Sequence, residues 1–343
     1  MSDNIPFELQ ELIINKLPVE PLIRFRSVCK AWKSDSSDFI LHHITQQKQQ
    51  HLLVSSHGLL CSFGDRETDR KAAIWNHGLW CPFGEPVRKA VIWNPSIRKA
   101  IDVVMPDMAD DEMYTTVLGF GVCRETTHPK IIKIRINSDM EGLIPWQVEV
   151  FTLSARVWRS TYSRGVSKNS HTLFELEKMC PSVVVGGVVY WLANDRVGAE
   201  DGHDNVIVSF DLTSEEFGEV KLPDRLAYNN CCLCMFKPRE SPVVIEGCVE
   251  DHKRVYHVWV MKDGVPKLFE KLFTINDHTP DGSLVSSVLG FRKTGEALVE
   301  LQAHPCSIRT LVAYEPYSKT VITLGVSGRY IFVYSYTKTL LLL

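Results

Sequence analysis

Apolar positions recur at two different periods along the chain, and the change falls near residue 50. Before it, Leu9, Ile13 and Leu17 repeat at i, i+4 and i+8 and form one apolar stripe. Pro18 ends that helix, and Pro21 suits the first turn of a second. On the second helix Leu22, Phe25, Cys29 and Trp32 share a face with Val28 beside them. The run Ser34-Asp35-Ser36-Ser37 offers N-caps for a third, short helix carrying Phe39, Ile40 and Ile44. Three short helices in so few residues make too small a core to stand alone. Their stripe therefore needs a partner, either the next domain or another protein.

After residue 50 the pattern is short β-branched and aromatic runs separated by Gly, Pro, Asn and Asp, which predicts many strands. Examples are Leu52–Ser55, Val148–Leu153, Ser182–Leu192, Val206–Leu212, Val255–Met261, Ala297–Leu301, Leu311–Tyr314 and Tyr330–Tyr336. One hairpin unit recurs at 91–99, 150–158 and 209–217, and more weakly at 258–264 and 313–319. Its spacing, near ~50 residues, is that of kelch-type propeller blades. Five hairpins, with an additional first blade from 52–90, predict five or six blades. Tyr330–Tyr336 and the apolar tail Leu340–Leu343 are expected to be the strands that close the ring. An irregular β-sandwich is the alternative. The predicted class is thus α+β multidomain: a helical domain over 1–46, a short polar linker over 47–51, and an all-β, propeller-like domain over 52–343.

Composition narrows the chemistry. The chain has 343 residues with Lys+Arg 38 against Asp+Glu 41, so no global positive field exists for gripping nucleic acid. No apolar run reaches the ~20 residues that span a bilayer, and the N-terminus lacks the pattern of a signal peptide. The ten cysteines are mostly scattered through apolar runs. Cys231, Cys232 and Cys234 cluster, but even with His257 or Cys248 in reach their spacing is poor for zinc. The expectation is an intracellular protein, cytoplasmic or nuclear, with reduced thiols, no metal and no cofactor. The Arg70-Lys71, Arg88-Lys89 and Arg98-Lys99 pairs read as solvated strand edges, and Asp107, Asp110, Asp111 and Glu112 as a solvated acidic loop. No nucleophile elbow, P-loop or His-Glu-x-x-His motif occurs.

The helical segment resembles an F-box. Ile5-Pro6, Leu9, Ile13-Ile14, Leu17-Pro18-Val19 and the run Leu22 to Lys33 follow that family's spacing, ending in Val28-Cys29-Lys30-Ala31-Trp32. Two positions depart: Ile5 stands for the opening Leu, and Leu12 for the usual Glu. The resemblance implies docking on the small adaptor subunit of SCF-type cullin ubiquitin ligases, through Ile5, Pro6, Leu9, Ile13, Leu17, Pro18, Leu22, Phe25, Val28, Cys29 and Trp32. Exposed apolar side chains on rigid helices suit such an interface. The remainder resembles the F-box-associated domain of a large plant family. Its markers are His57-Gly58-Leu59-Leu60-Cys61, 92–99, Leu118-Gly119-Phe120-Gly121, Ser209-Phe210-Asp211-Leu212, 258–262 and the closing Ser335–Leu343. One local departure is a tandem duplication: Arg70–Asn76 returns as Arg88–Asn94, and His57–Cys61 as His77–Cys81.

Together these imply a non-catalytic substrate receptor that brings an unknown protein target near the conjugating machinery. Two other classes stay open: a carbohydrate-acting propeller enzyme, which needs Tyr, His and Cys converging on copper, and an F-box scaffold without a ubiquitination role. Recognition is expected in the long polar connections Pro106–Glu112, Ser160–Thr172, Asn194–Asn205 and Asn276–Ser283, roughly half of them on one face. Arg164 and Lys168 oppose Asp195, Glu200, Asp201 and Asp204 in charge and are the candidate target contacts.

Overall fold

A computed structural model describes residues 52–64, 89–106, 114–137, 146–161, 172–174, 182–195, 204–228, 232–237, 241–251, 253–262, 268–276, 284–302 and 308–328, with Ile331, Val333, Tyr334, Thr339 and Leu341 of the tail. The helices expected within 1–46 and the linker 47–51 lie outside them.

The described strands form five antiparallel sheets in sequence order, the blades of a propeller. Blade one holds β1 (Leu52–Ser56), β2 (Leu59–Gly64), β3 (Lys89–Asn94) and β4 (Lys99–Val104). Blade two holds β5 (Tyr114–Val122), β6 (Pro129–Asn137), β7 (Gln147–Thr152) and β8 (Val157–Ser160). Blade three holds β9 (Thr172–Phe174), β10 (Val183–Val185), β11 (Val188–Asp195), β12 (Asp204–Asp211) and β13 (Phe217–Lys221), followed by a one-turn helix α1 (Asp224–Ala227). Blade four holds β14 (Cys232–Phe236), β15 (Val243–Glu250), β16 (Lys253–Lys262) and β17 (Leu268–Asn276); blade five holds β18 (Leu284–Phe291), β19 (Ala297–Gln302), β20 (Arg309–Tyr314) and β21 (Val321–Gly328). In blade three, β9 and β10 both pair with β11 and together take the inner position of that sheet.

The recurring hairpin is the same part of every blade. Its five copies join the third strand to the fourth: β3–β4, β7–β8, β12–β13, β16–β17 and β20–β21. At three of them a side chain at the end of the third strand accepts hydrogen bonds from the turn. Asn94 Oδ1 accepts from the Ser96 amide, Asp211 Oδ1 from Thr213 and Ser214, and Glu315 Oε2 from Tyr317 and Ser318. A left-handed residue then closes the turn: Arg98, Arg156, Glu215 and Lys319 all have φ near +55°. Polar residues at these sites tolerate that conformation and so set the hairpin register. The inner turns are tighter. Gly186 (φ 58°) and Gly187 (φ 82°) are the two central residues between β10 and β11, where a two-residue turn needs positive φ at both.

Of the five or six blades expected, the described strands form five. Residues 52–64 are not a separate first blade; they are the inner pair of the sheet whose outer hairpin is β3–β4. The duplicated segment separates those halves in sequence: its second copy supplies β3, whereas 65–88 lies outside the described residues. Ser182–Leu192 likewise splits into β10 and β11 at the glycine pair.

Middle strands are buried on both faces where a blade packs between two others. In β6, Ile131, Ile132, Ile134 and Ile136 are all buried. One cluster joins blades one to three, another blades three and four, and a third blades four and five. Outer strands such as β17 and β21 are largely exposed. Of the expected closing strands, the described residues Ile331, Val333 and Tyr334 belong to no ladder, and most of the remainder lies outside the described residues. Ile331 instead packs on Leu298, Leu311 and Ala313, the face of blade five turned away from blade four. Leu341 packs into the cluster of blades one to three, so described tail residues contact both blade five and that cluster.

Candidate recognition face

Strand parity sorts the connections onto two ends of the propeller. Each blade is an up-down meander with an even number of strand crossings, so every blade starts from the same end. The first-to-second and third-to-fourth turns, none longer than six residues, share one end. The second-to-third and inter-blade connections share the other. That end receives 65–88, 105–113, 138–146, 161–171, 196–203, 222–231 and 277–283. The expectation that half of the long polar connections share a face is therefore corrected: all four do. β1 also starts there, so the chain that leads from the N-terminal segment enters at the long-connection end.

Five exposed apolar residues mark that end in four blades: Val104, Tyr228, Val249, Leu284 and Ile308. Four of the other exposed large apolar residues, Val157, Leu268, Leu272 and Ile322, stand on outermost strands.

A polar cluster lies at the same end, between blades three and four. Alternation along β15 puts Glu246, Cys248 and Glu250 on one face, and the cross-strand pair Glu246–His257 brings His257 to it. Arg225, from α1, spans the cluster. Its Nε donates to both Glu246 oxygens at 3.1 Å, and its Nη2 donates to Glu250 Oε1 at 2.9 Å. Glu246 is fully buried and also accepts from Trp259 Nε1 at 3.2 Å. The ring of His257, itself buried, spans Thr274 Oγ1 at 2.9 Å and Glu250 Oε1 at 3.0 Å. Hydrogen bonds from His257 and Arg225 pull the Glu250 carboxyl down to about 2. Burial, then the neighbouring carboxylates, pushes the Cys248 thiol up. Cys232 and Cys234 occupy the opposite face of the sheet, with Tyr256, whose hydroxyl donates to Ser286 O at 2.7 Å. His257 and Cys248 thus converge without Tyr256, unlike a Tyr-His-Cys copper set.

Arg164, Lys168, Glu200 and Asp201 lie outside the described residues, as do Ile5, Pro6, Leu9, Ile13, Leu17, Pro18, Leu22, Phe25, Val28, Cys29 and Trp32. Asp195 and Asp204 are described, and they are strand residues paired with each other across β11 and β12. The ladder therefore runs further than the loop Asn194–Asn205 allowed. Sequence reasoning missed Arg225, Glu246 and Glu250; the alternation Glu246-x-Cys248-x-Glu250 was the available signal.

Comparison with known proteins places this geometry. The F-box associated beta propeller domain matches residues 77–300, and the F-box domain matches residues 2–42. An Arabidopsis thaliana F-box protein is 27% identical over 291 residues, covering 77% of this chain and 88% of its own. The F-box protein CPR1 of the same plant is 26% identical over 310 residues, covering 79% and 73%. An F-box/kelch-repeat protein from that plant is 24% identical and covers 68% of each chain. Among solved structures, an acylaminoacyl peptidase of Pyrococcus horikoshii aligns over 80% of this chain and 39% of its own, at 11% identity and a TM-score of 0.39, too low to carry an argument.

Proposed function

The chain belongs to the F-box associated β-propeller family and carries an F-box at residues 2–42, and from that premise we propose that it is the substrate-recognition subunit of an SCF-type cullin ubiquitin ligase. The F-box binds the adaptor, and through it the cullin; the propeller binds a protein target; the chain itself performs no covalent chemistry. The observation that carries the reading is the coexistence of the two units in one chain. The F-box match contains the apolar stripe Leu9, Ile13, Leu17, Val28 and Trp32. All long connections of the propeller gather at the end where the chain enters from that segment. A target held there sits on the side from which the chain leads to the adaptor, which raises its effective concentration near the conjugating subunits.

Connections of different blades, held by a rigid scaffold, make a surface that recognises another protein without a catalytic group. Proximity labelling in cells under proteasome inhibition, with the full chain and with its Leu17→Asp variant, tests this. Both should label the same proteins, and only the full chain should raise their ubiquitination. Equal ubiquitination in both arms would contradict the receptor role.

A further inference from the structure

We propose that Cys248, Glu250 and His257 form a site for one divalent transition-metal ion of the zinc class. The ligand atoms of these three residues lie within 4.8 Å of one another. His257 Nε2 and Glu250 Oε1 are 3.0 Å apart, and Cys248 Sγ is 3.9 Å from the same oxygen. A tetrahedral ion with bonds of about 2.0 to 2.3 Å has ligand–ligand edges of roughly 3.3 to 3.6 Å, so shifts of well under 1 Å along these two edges seat it. One sulfur, one nitrogen and one oxygen are the donor mix of a borderline-soft ion, not of magnesium or calcium.

Three further observations support the site. Thr274 Oγ1 contacts the remote ring nitrogen of His257 at 2.9 Å, the outer-shell partner that fixes a ligating imidazole. Charge also favours a cation. Two carboxylates, Glu246 and Glu250, face one guanidinium, Arg225, and a divalent ion that displaces the Cys248 proton brings the cluster to neutrality. Access is open from one side: His257 and Cys248 are buried while Glu250 is 47% exposed, leaving the fourth position to water. Arg225 need not leave, because its Nε stays on Glu246 while Nη2 moves to the second Glu250 oxygen. The ion would fasten the end of the β15–β16 hairpin at the long-connection face. The proposal is independent of the receptor reading, since its three ligands all stand on blade four.

The test uses the purified full chain, stripped with chelator and titrated with Zn²⁺ and, separately, with Co²⁺. One equivalent of Zn²⁺ should bind, and the Co²⁺ form should show a thiolate charge-transfer band. Cys248→Ser should abolish the band, Glu250→Gln should weaken Zn²⁺ binding at least ~10-fold, and Thr274→Val should weaken it by about the same factor. Cys232→Ser, on the opposite face, should change neither. Glu250 is exposed, so its variant folds even where a His257 variant does not. Absence of stoichiometric Zn²⁺ uptake by the unsubstituted chain, or a charge-transfer band that survives Cys248→Ser, would overturn the proposal.

Discussion

The side-chain amide of Asn94 donates to the main-chain carbonyl of Leu341 at 2.7 Å, joining residues 247 positions apart in sequence. Asn94 is fully buried, and its amide also reaches Thr339 O at 3.4 Å. Ser96 Oγ accepts from the Thr339 amide at 3.0 Å. One hairpin of blade one thus holds the tail that covers blade five. Asn94→Ala should cost about 1–3 kcal/mol, because it removes a fully buried amide and leaves the half-buried carbonyls of Thr339 and Leu341 without that donor. Denaturant unfolding measures the loss. Limited proteolysis should then release the tail first, and uncut tail at unchanged stability would remove its role as the clasp.

The tail also gives the fold an alkaline limit. Burial raises the Tyr334 hydroxyl to about 12, against an ordinary value near 10. The unfolded chain therefore loses this proton first as pH rises. Stability linked to Tyr334 is intact below about pH 10 and falls from there toward 12. Melting temperature followed from pH 8 to 11 should decline less steeply in Tyr334→Phe than in the unsubstituted chain. Parallel curves would show that the phenol is not buried in the folded tail.

Blades two and three meet without room to spare. Trp191 Nε1 donates to Leu118 O at 3.1 Å, and its indole lies where a Cβ on Gly119 would sit. A Cβ on Gly121 would stand 2.7 Å from Leu212 Cδ1. Gly119→Ala should therefore destabilise by about 1–3 kcal/mol through overpacking. Gly186→Asn is the contrast: nothing lies within 4 Å of that Cβ, and asparagine tolerates φ near +58°, so its melting temperature should barely move. Equal losses in both would point to backbone freedom rather than packing.

The same interface holds a buried charge. Lys130 Nζ donates to Glu215 Oε1 at 2.8 Å and to Leu212 O at 2.5 Å, with Arg159 on the same carboxylate. Lys130→Met should cost about 3 kcal/mol, the low end for breaking a buried pair, because the half-exposed Arg159 remains. Adding Glu215→Gln should restore part of it. A double variant no better than the single would show that the carboxylate does not need the lysine.

These particulars explain what was legible in the sequence. Outer hairpins were readable because their turns rest on local chemistry, such as Asp211 accepting from Thr213 and Ser214. The repeat period followed from them. The choice between five and six blades stayed open because pairing of Leu60 with Trp93 spans the duplicated segment, and nothing local reports that closure. The tail was expected as a strand from its β-branched and aromatic residues. Its described residues Thr339 and Leu341 are held by two polar side chains of blade one, which leave no ladder pattern. The polar cluster was hidden for a different reason. Its members come from α1, β15 and β16, and only the register Glu246–His257 and the docking of Arg225 bring them together.

The most direct measurement is the affinity of the full chain for the purified adaptor subunit, by calorimetric titration, with Leu17→Asp and Trp32→Ala alongside. An unpaired carboxylate in the apolar stripe, or the loss of its aromatic anchor, should weaken binding on the order of a hundredfold or more. The thermal transition of the propeller should stay where it is in both variants, since its core is built from residues 52 onward. Adaptor binding of full strength in both variants, or none in the unsubstituted chain, would contradict the assignment of a ligase receptor.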